Sequence, residues 1–158
     1  MIAFLKSLLI IVLFIKLKVR ENREAVFVVG MMSKLRAFFN SHVETSDRNE
    51  DETLKTHYYK TSKDKLMEGI QSIISNERQF SLLDVSKERG EISVNVIKGK
   101  KGFLVITVVN VRPFKTAVDI SLTVERGMNL GYGQKMIRQF YQRLDKDYAF
   151  IGVEINEQ

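Results

Sequence analysis

Side chains able to do chemistry are sparse in this chain, and their spacing argues against most reactions. The two histidines are His42, in a stretch rich in acidic residues, and His57, which precedes Tyr58 and Tyr59. They do not fall at metal-ligand spacing, and a lone histidine beside tyrosines is expected to serve structure. Cysteine is absent, which excludes a thiolate nucleophile, thiolate metal ligands and disulfides. Neither a serine nucleophile elbow nor a GxxxxGK[ST] phosphate loop occurs. Asp119 and Glu125 share one face of a predicted strand, but the six residues of extended chain between them span about 20 Å. That is too far for a general acid and base to act on one bond. Both read as solvated edge charges. No catalytic residue is nominated, and neither a cofactor nor a metal is expected.

One loop has the makings of an anion site. Arg126-Gly127-Met128-Asn129-Leu130-Gly131-Tyr132-Gly133-Gln134 lies between a predicted strand and a predicted helix. Backbone N–H groups at such a helix start can hold a phosphate. The loop is locally similar to the acyl-CoA pyrophosphate loop of the GCN5-related N-acetyltransferase family, whose pattern is Gln/Arg-x-x-Gly-x-Gly/Ala. Gly131 and Gly133 match it, and Met128 stands at the Gln/Arg position. The resemblance implies backbone donors from Gly131, Tyr132 and Gly133 and a phosphate contact from Lys135. It also implies a further helix and two strands, for which the chain has no residues after Gln158. The preferred reading is therefore structural: the glycines permit a tight reversal and close packing of helix on sheet.

A second candidate is basic. The net charge is +6, but the stretch to Arg36 holds seven basic and two acidic residues, against 17 and 12 from Lys55 onward. The folded part is thus only mildly basic, and nucleic acid is not expected as a partner. Lys98, Lys100 and Lys101 nevertheless cluster at one predicted hairpin tip, where a basic loop can meet an anionic partner, either headgroups or nucleic acid.

The elements that position these residues are legible from Leu54 onward. Lys55 to Thr61 reads as a strand. Ser62 can cap a helix whose Leu66, Met67, Ile70, Ile73 and Ile74 fall on one face. Phe80 to Val85 is a strand, and Ile92, Val94 and Val96 alternate with polar residues in the next. Gly99 to Gly102 makes a hairpin loop into Phe103 to Arg112, apolar on both faces and so expected at the sheet centre. After Pro113, the only proline, Val118, Ile120, Leu122 and Val124 alternate with Asp119, Ser121, Thr123 and Glu125. A helix bearing Met136, Ile137, Phe140, Tyr141 and Leu144 follows, then a last strand over Phe150 to Ile155. The order β-α-β-β-β-β-α-β predicts an α+β domain over residues 54–158. Its two layers are a mainly antiparallel sheet and two helices on one face.

Upstream, Ile2 to Val19 is an apolar run broken only by Lys6, Lys16 and Lys18. Roughly 18 helical residues span about 27 Å, close to a bilayer's hydrocarbon thickness, and the lysines can snorkel to the headgroups. Lys16, Lys18, Arg20 and Arg23 weight the C-terminal flank, which places the domain in the cytoplasm by the positive-inside rule. A signal peptide would need small residues at its cleavage site, and Lys16-Leu17-Lys18-Val19-Arg20 supplies none. A core helix apolar all round would need a larger protein around it. Residues 1–24 are therefore expected as a single-pass anchor with its basic flank. Residues 25–40, with Val28, Met32, Leu35 and Phe39 at helical spacing, form either an interfacial helix or one packed on the domain or a partner. Residues 41–53, with Glu44, Asp47, Glu50, Asp51 and Glu52, are expected as a flexible acidic linker. The whole reads as a membrane-tethered, non-enzymatic binding or interaction domain. Besides the lysine tip, the polar sheet face at Ser93, Asn95, Asp119, Ser121 and Thr123 is a candidate for the contact with a protein partner that the sequence does not identify.

Overall fold

The computed structural model describes residues 41–125, 129 and 131–153. The expected anchor and juxtamembrane helix, Arg126 to Met128, Leu130 and the end of the last predicted strand lie outside the described residues. Among the described residues no helix is long and apolar enough to cross a membrane.

Seven strands and two helices are described: β1 (His42–Glu44), β2 (His57–Tyr59), α1 (Lys63–Asn76), β3 (Phe80–Ser86), β4 (Glu91–Val96), β5 (Gly102–Arg112), β6 (Lys115–Val124), α2 (Tyr132–Asp147) and β7 (Phe150–Gly152). The strands form one sheet of order β3-β4-β5-β6-β2-β7, with β1 also on β6, and every pairing is antiparallel. β5 is an inner strand, as its two apolar faces predict. The fold is α+β, as expected.

Alternation decides which side of the sheet is covered. Ile92, Val94 and Val96 of β4, Leu104, Ile106 and Val108 of β5, and Val118, Ile120 and Leu122 of β6 share one face, since successive side chains point to opposite sides of a strand. They form a single buried cluster with Leu66, Met67, Ile70 and Ile74 of α1 and Met136, Ile137, Phe140 and Leu144 of α2. Both helices thus cover the same face. Ser62 caps α1 by accepting from the Lys65 N–H at 3.5 Å. At the far end of α1, Glu77 forms an ion pair with Arg143 of α2. On the open face lie Phe103, exposed Val109, and the polar Ser93, Asn95, Ser121 and Thr123.

The acidic segment departs from expectation. Residues 41–53 belong to the domain rather than to a flexible linker, because several of their side chains and backbone groups find partners in the sheet. β1 pairs with the second half of β6, and Val43 is buried against the core. β2 pairs with the first half of the same edge. Thr45 fills the gap between them: its N–H donates to Ile120 O at 2.9 Å, and its Oγ1 accepts the Ile120 N–H at 2.8 Å. Asp51 then caps a 3-10 helix, Glu52–Leu54, which buries Leu54.

Candidate functional site

The most concentrated polar chemistry lies where β2 meets α2. His57 and Tyr59 stand two residues apart on β2 and so point the same way, toward the helices. Tyr141 and Asp145 stand four residues apart on α2 and share one helix face. The His57 ring lies flat against Tyr141, with centroids 3.7 Å apart and planes 2° apart. Its Nδ1 is 3.1 Å from Asp145 Oδ1, and the Tyr59 hydroxyl donates to the same oxygen at 2.8 Å. Phe150 of β7 also lies against the imidazole, tilted 40° to it with centroids 4.7 Å apart.

Burial sets the charge state of this group. It lowers the His57 pKa from its ordinary value, and the hydrogen bond and charge of Asp145 oppose that shift without reversing it. The imidazole is thus neutral at pH 7. With Nδ1–H bonded to the carboxylate, Nε2 is the acceptor nitrogen. Burial, with Asp145 second, likewise pushes Tyr59 well above the ordinary phenol range, and burial is the chief cause of a similar rise at Tyr141.

A cleft of about 230 Å³ opens beside the imidazole, lined by Glu52, Thr53, His57, Arg138, Tyr141, Gln142 and Asp145. An oriented, neutral imidazole can act as a general base if a proton donor faces it. The hydroxyls lining this cleft are committed elsewhere. Thr53 Oγ1 donates to Asp51 Oδ1 at 2.6 Å. Tyr141 donates to Val118 O at 2.8 Å. Among the described residues no group of three or more His, Asp or Glu side chains is gathered as a metal site.

The residues nominated from sequence fall at the opposite end of α2. Gly131 is its N-cap, in the left-handed region at φ +79°. Asn129 spans the first turn: its carbonyl accepts the Tyr132 N–H at 2.9 Å, and its side-chain oxygen accepts the Gly133 N–H. Two of the backbone donors that an acyl-CoA phosphate would use are therefore already bonded. A Cβ on Gly133 would collide with Val43 and Asn129, so this glycine serves close packing of α2 on β1. Lys135 is exposed on the same turn. Lys98 and Lys101 are exposed on the β4–β5 hairpin tip, with Lys100 half-buried between them. The two nominated groups come together, since Tyr132 reaches from the helix start to Lys98 O at 3.4 Å and lies over Gly99.

Asp119 differs from its expected role. It is half-buried in the gap between β1 and β2, where Oδ1 accepts from Thr45 at 3.1 Å and Thr56 at 2.5 Å. Burial raises its pKa, and the two threonine hydroxyls act against that. Glu125 is exposed, as expected. Beside Asp119 on the open face, Tyr58 donates to Asp47 at 2.9 Å beneath the Lys115 ammonium.

Sequence reasoning found His57 and its tyrosine neighbours but not Asp145. The available signal was the four-residue spacing of Tyr141 and Asp145 on the apolar side of a helix, where an acidic residue needs a partner. Compared with known proteins, the chain matches no family model, and no curated protein or solved structure shows significant similarity to it.

Proposed function

We propose that this chain is a membrane-anchored binding domain that performs no chemistry, with residues 1–24 as its anchor and the folded part on the cytoplasmic side. The length of the Ile2–Val19 run and its basic C-terminal flank support the anchor and its orientation. Tethering raises the domain's effective concentration at the membrane, which is a sufficient mechanism for an interaction domain.

The observation that carries binding over catalysis is the commitment of the hydroxyls around His57. Thr53 is held by Asp51 and Tyr141 by Val118, so among the described residues lining the cleft each hydroxyl already donates elsewhere than to the imidazole. What it offers is one hydrogen-bond acceptor at Nε2, beside the Arg138 cation and the Gln142 amide. Such a cleft suits a polar group of a bound partner.

Carbonate extraction of membranes carrying the full chain tests the anchor, and the chain is expected to stay in the pellet. Release into the supernatant would remove the proposal. Calorimetry with acetyl-CoA tests the enzymatic alternative: no heat is expected, because Asn129 occupies the donors at the α2 start, and saturable binding would restore the acyl-CoA reading.

A further inference from the structure

The point at which the chain enters the domain and the basic hairpin lie at one end of the sheet. His42 pairs with Thr123, Thr123 with Phe103, and Phe103 with Asn95, so a single cross-strand row runs from the chain entry to the hairpin root. Adjacent strands are about 4.8 Å apart, which puts the entry about 10 Å from β5. From this root project Lys98, Lys100 and Lys101, and the exposed α2 residue Lys135 lies beyond Tyr132. Acidic groups at this end include Glu125, Glu44, which is 3.3 Å from the His42 ring, and Glu77, which pairs with Arg143 and bonds Gln79, the backbone partner of Ile97. Flanking the lysines, Ile97 is 48% exposed and Phe103 42% exposed.

We infer that this end of the domain docks on the anionic leaflet to which the chain is tethered. The docked face sets Ile97 and Phe103 against the interface, with the exposed Lys98 and Lys101 among the headgroups. The inference rests on the anchored reading given above. Two observations select lipid as the occupant. Ser41, the first described residue, lies at this end beside His42, so the chain enters the domain here. The patch also combines cations with exposed apolar side chains, the pairing that interfacial binding requires. Tyr132 stiffens the tip by packing over Gly99, which limits the ordering cost of docking. Docking leaves the cleft beside His57, at the other end of α2, open to the cytoplasm.

The absence of cysteine makes single-site labelling unambiguous. The full chain carrying Ile97→Cys or Phe114→Cys is labelled with an environment-sensitive fluorophore and reconstituted into vesicles containing a headgroup-region quencher lipid. Phe114 lies on the β5–β6 hairpin, at the far end of the sheet, and is the control. Quenching is expected at position 97 in phosphatidylserine vesicles, with loss in pure phosphatidylcholine or high salt, and none at position 114. Each lysine near an anionic surface contributes about five-fold to partitioning, so Lys98→Gln and Lys101→Gln together should lower the docked-to-free ratio by about 25-fold. With the chain retained through a carbonate wash, equal quenching at both positions, or quenching indifferent to phosphatidylserine, overturns the docking alone. Release of the chain by carbonate overturns the anchor and the docking with it.

Discussion

His57 and Tyr141 are stacked face to face, 3.7 Å between centroids, and this contact ties β2 to α2. The stack holds because one carboxylate oxygen of Asp145, one helical turn beyond Tyr141, accepts hydrogen bonds from both His57 Nδ1–H and the Tyr59 hydroxyl. Replacing Asp145 by alanine strands two buried donors, and each unsatisfied group costs about 1–3 kcal/mol. Asp145→Ala should therefore lower stability by about 2–4 kcal/mol in urea unfolding, whereas Asp145→Asn, which keeps an acceptor oxygen, should cost less than half of that.

Acidification should weaken the domain through His57. Burial lowers its folded pKa, so below pH 6.5 the unfolded chain takes up a proton that the folded ring resists. Stability is then complete above pH 6.5, declines as pH falls from there, and levels off below the folded pKa. The groups facing the ring are Asp145 and Tyr141 from α2, Tyr59 from its own strand and Phe150 from β7, with Glu52 and Arg138 at the cleft. Urea midpoints between pH 7.5 and pH 5 should fall for the native chain and change less for His57→Gln.

Asp119 gives a contrasting case. Its Oδ1 accepts from both Thr45 and Thr56, so an amide oxygen can replace it without losing either bond. Asp119→Asn should stay within about 1 kcal/mol of the native chain, because it also removes a charge that burial penalises. Asp119→Ala leaves two hydroxyls without an acceptor and should cost about 2 kcal/mol or more. Equal losses for the two variants would mean that the threonines do not depend on this oxygen.

Periodicity carried most of the fold because the core face of the sheet alternates strictly. Ile92, Val94 and Val96, and Val118, Ile120, Leu122 and Val124, could be assigned to strands with a buried side before any contact was known. The same holds for Leu66, Met67, Ile70 and Ile74, whose spacing marks one helix face. β1 escaped because it is three residues long, with only Val43 buried, inside a run whose composition is that of solvated chain. Its place depends on the open edge of β6 and on a threonine hydroxyl standing in for a backbone acceptor, neither of which has a local signature. Asp119 was misread for the same reason, since alternation assigns a face but not what covers it. The His57 site was half legible: the strand residues were conspicuous, but their partner lies 88 positions away.

The segment 41–53 allows a decisive test of where the domain begins. A linker could be removed without loss, but β1 fills specific space. Gly133 has no Cβ because Val43 and Asn129 occupy its position, and Thr45 satisfies both backbone groups of Ile120. Deleting residues up to 53 would expose the C-terminal half of the β6 edge, uncover the core beside Val43 and leave Asp119 without Thr45. Burial of a valine side chain is worth about 1.5–3 kcal/mol, and each lost hydrogen bond to a buried group adds about 1 kcal/mol or more. A fragment starting at Leu54 should thus be less stable than one starting at Phe39 by at least about 3 kcal/mol, a large part of a small domain's total. Gly133→Ala in the longer fragment should lose about 1–3 kcal/mol from overpacking, because its new methyl has Val43 to displace. The same substitution in the shorter fragment has no Val43 to meet, so its cost there should shrink. Identical unfolding midpoints for the two fragments would return residues 41–53 to the status of a tether.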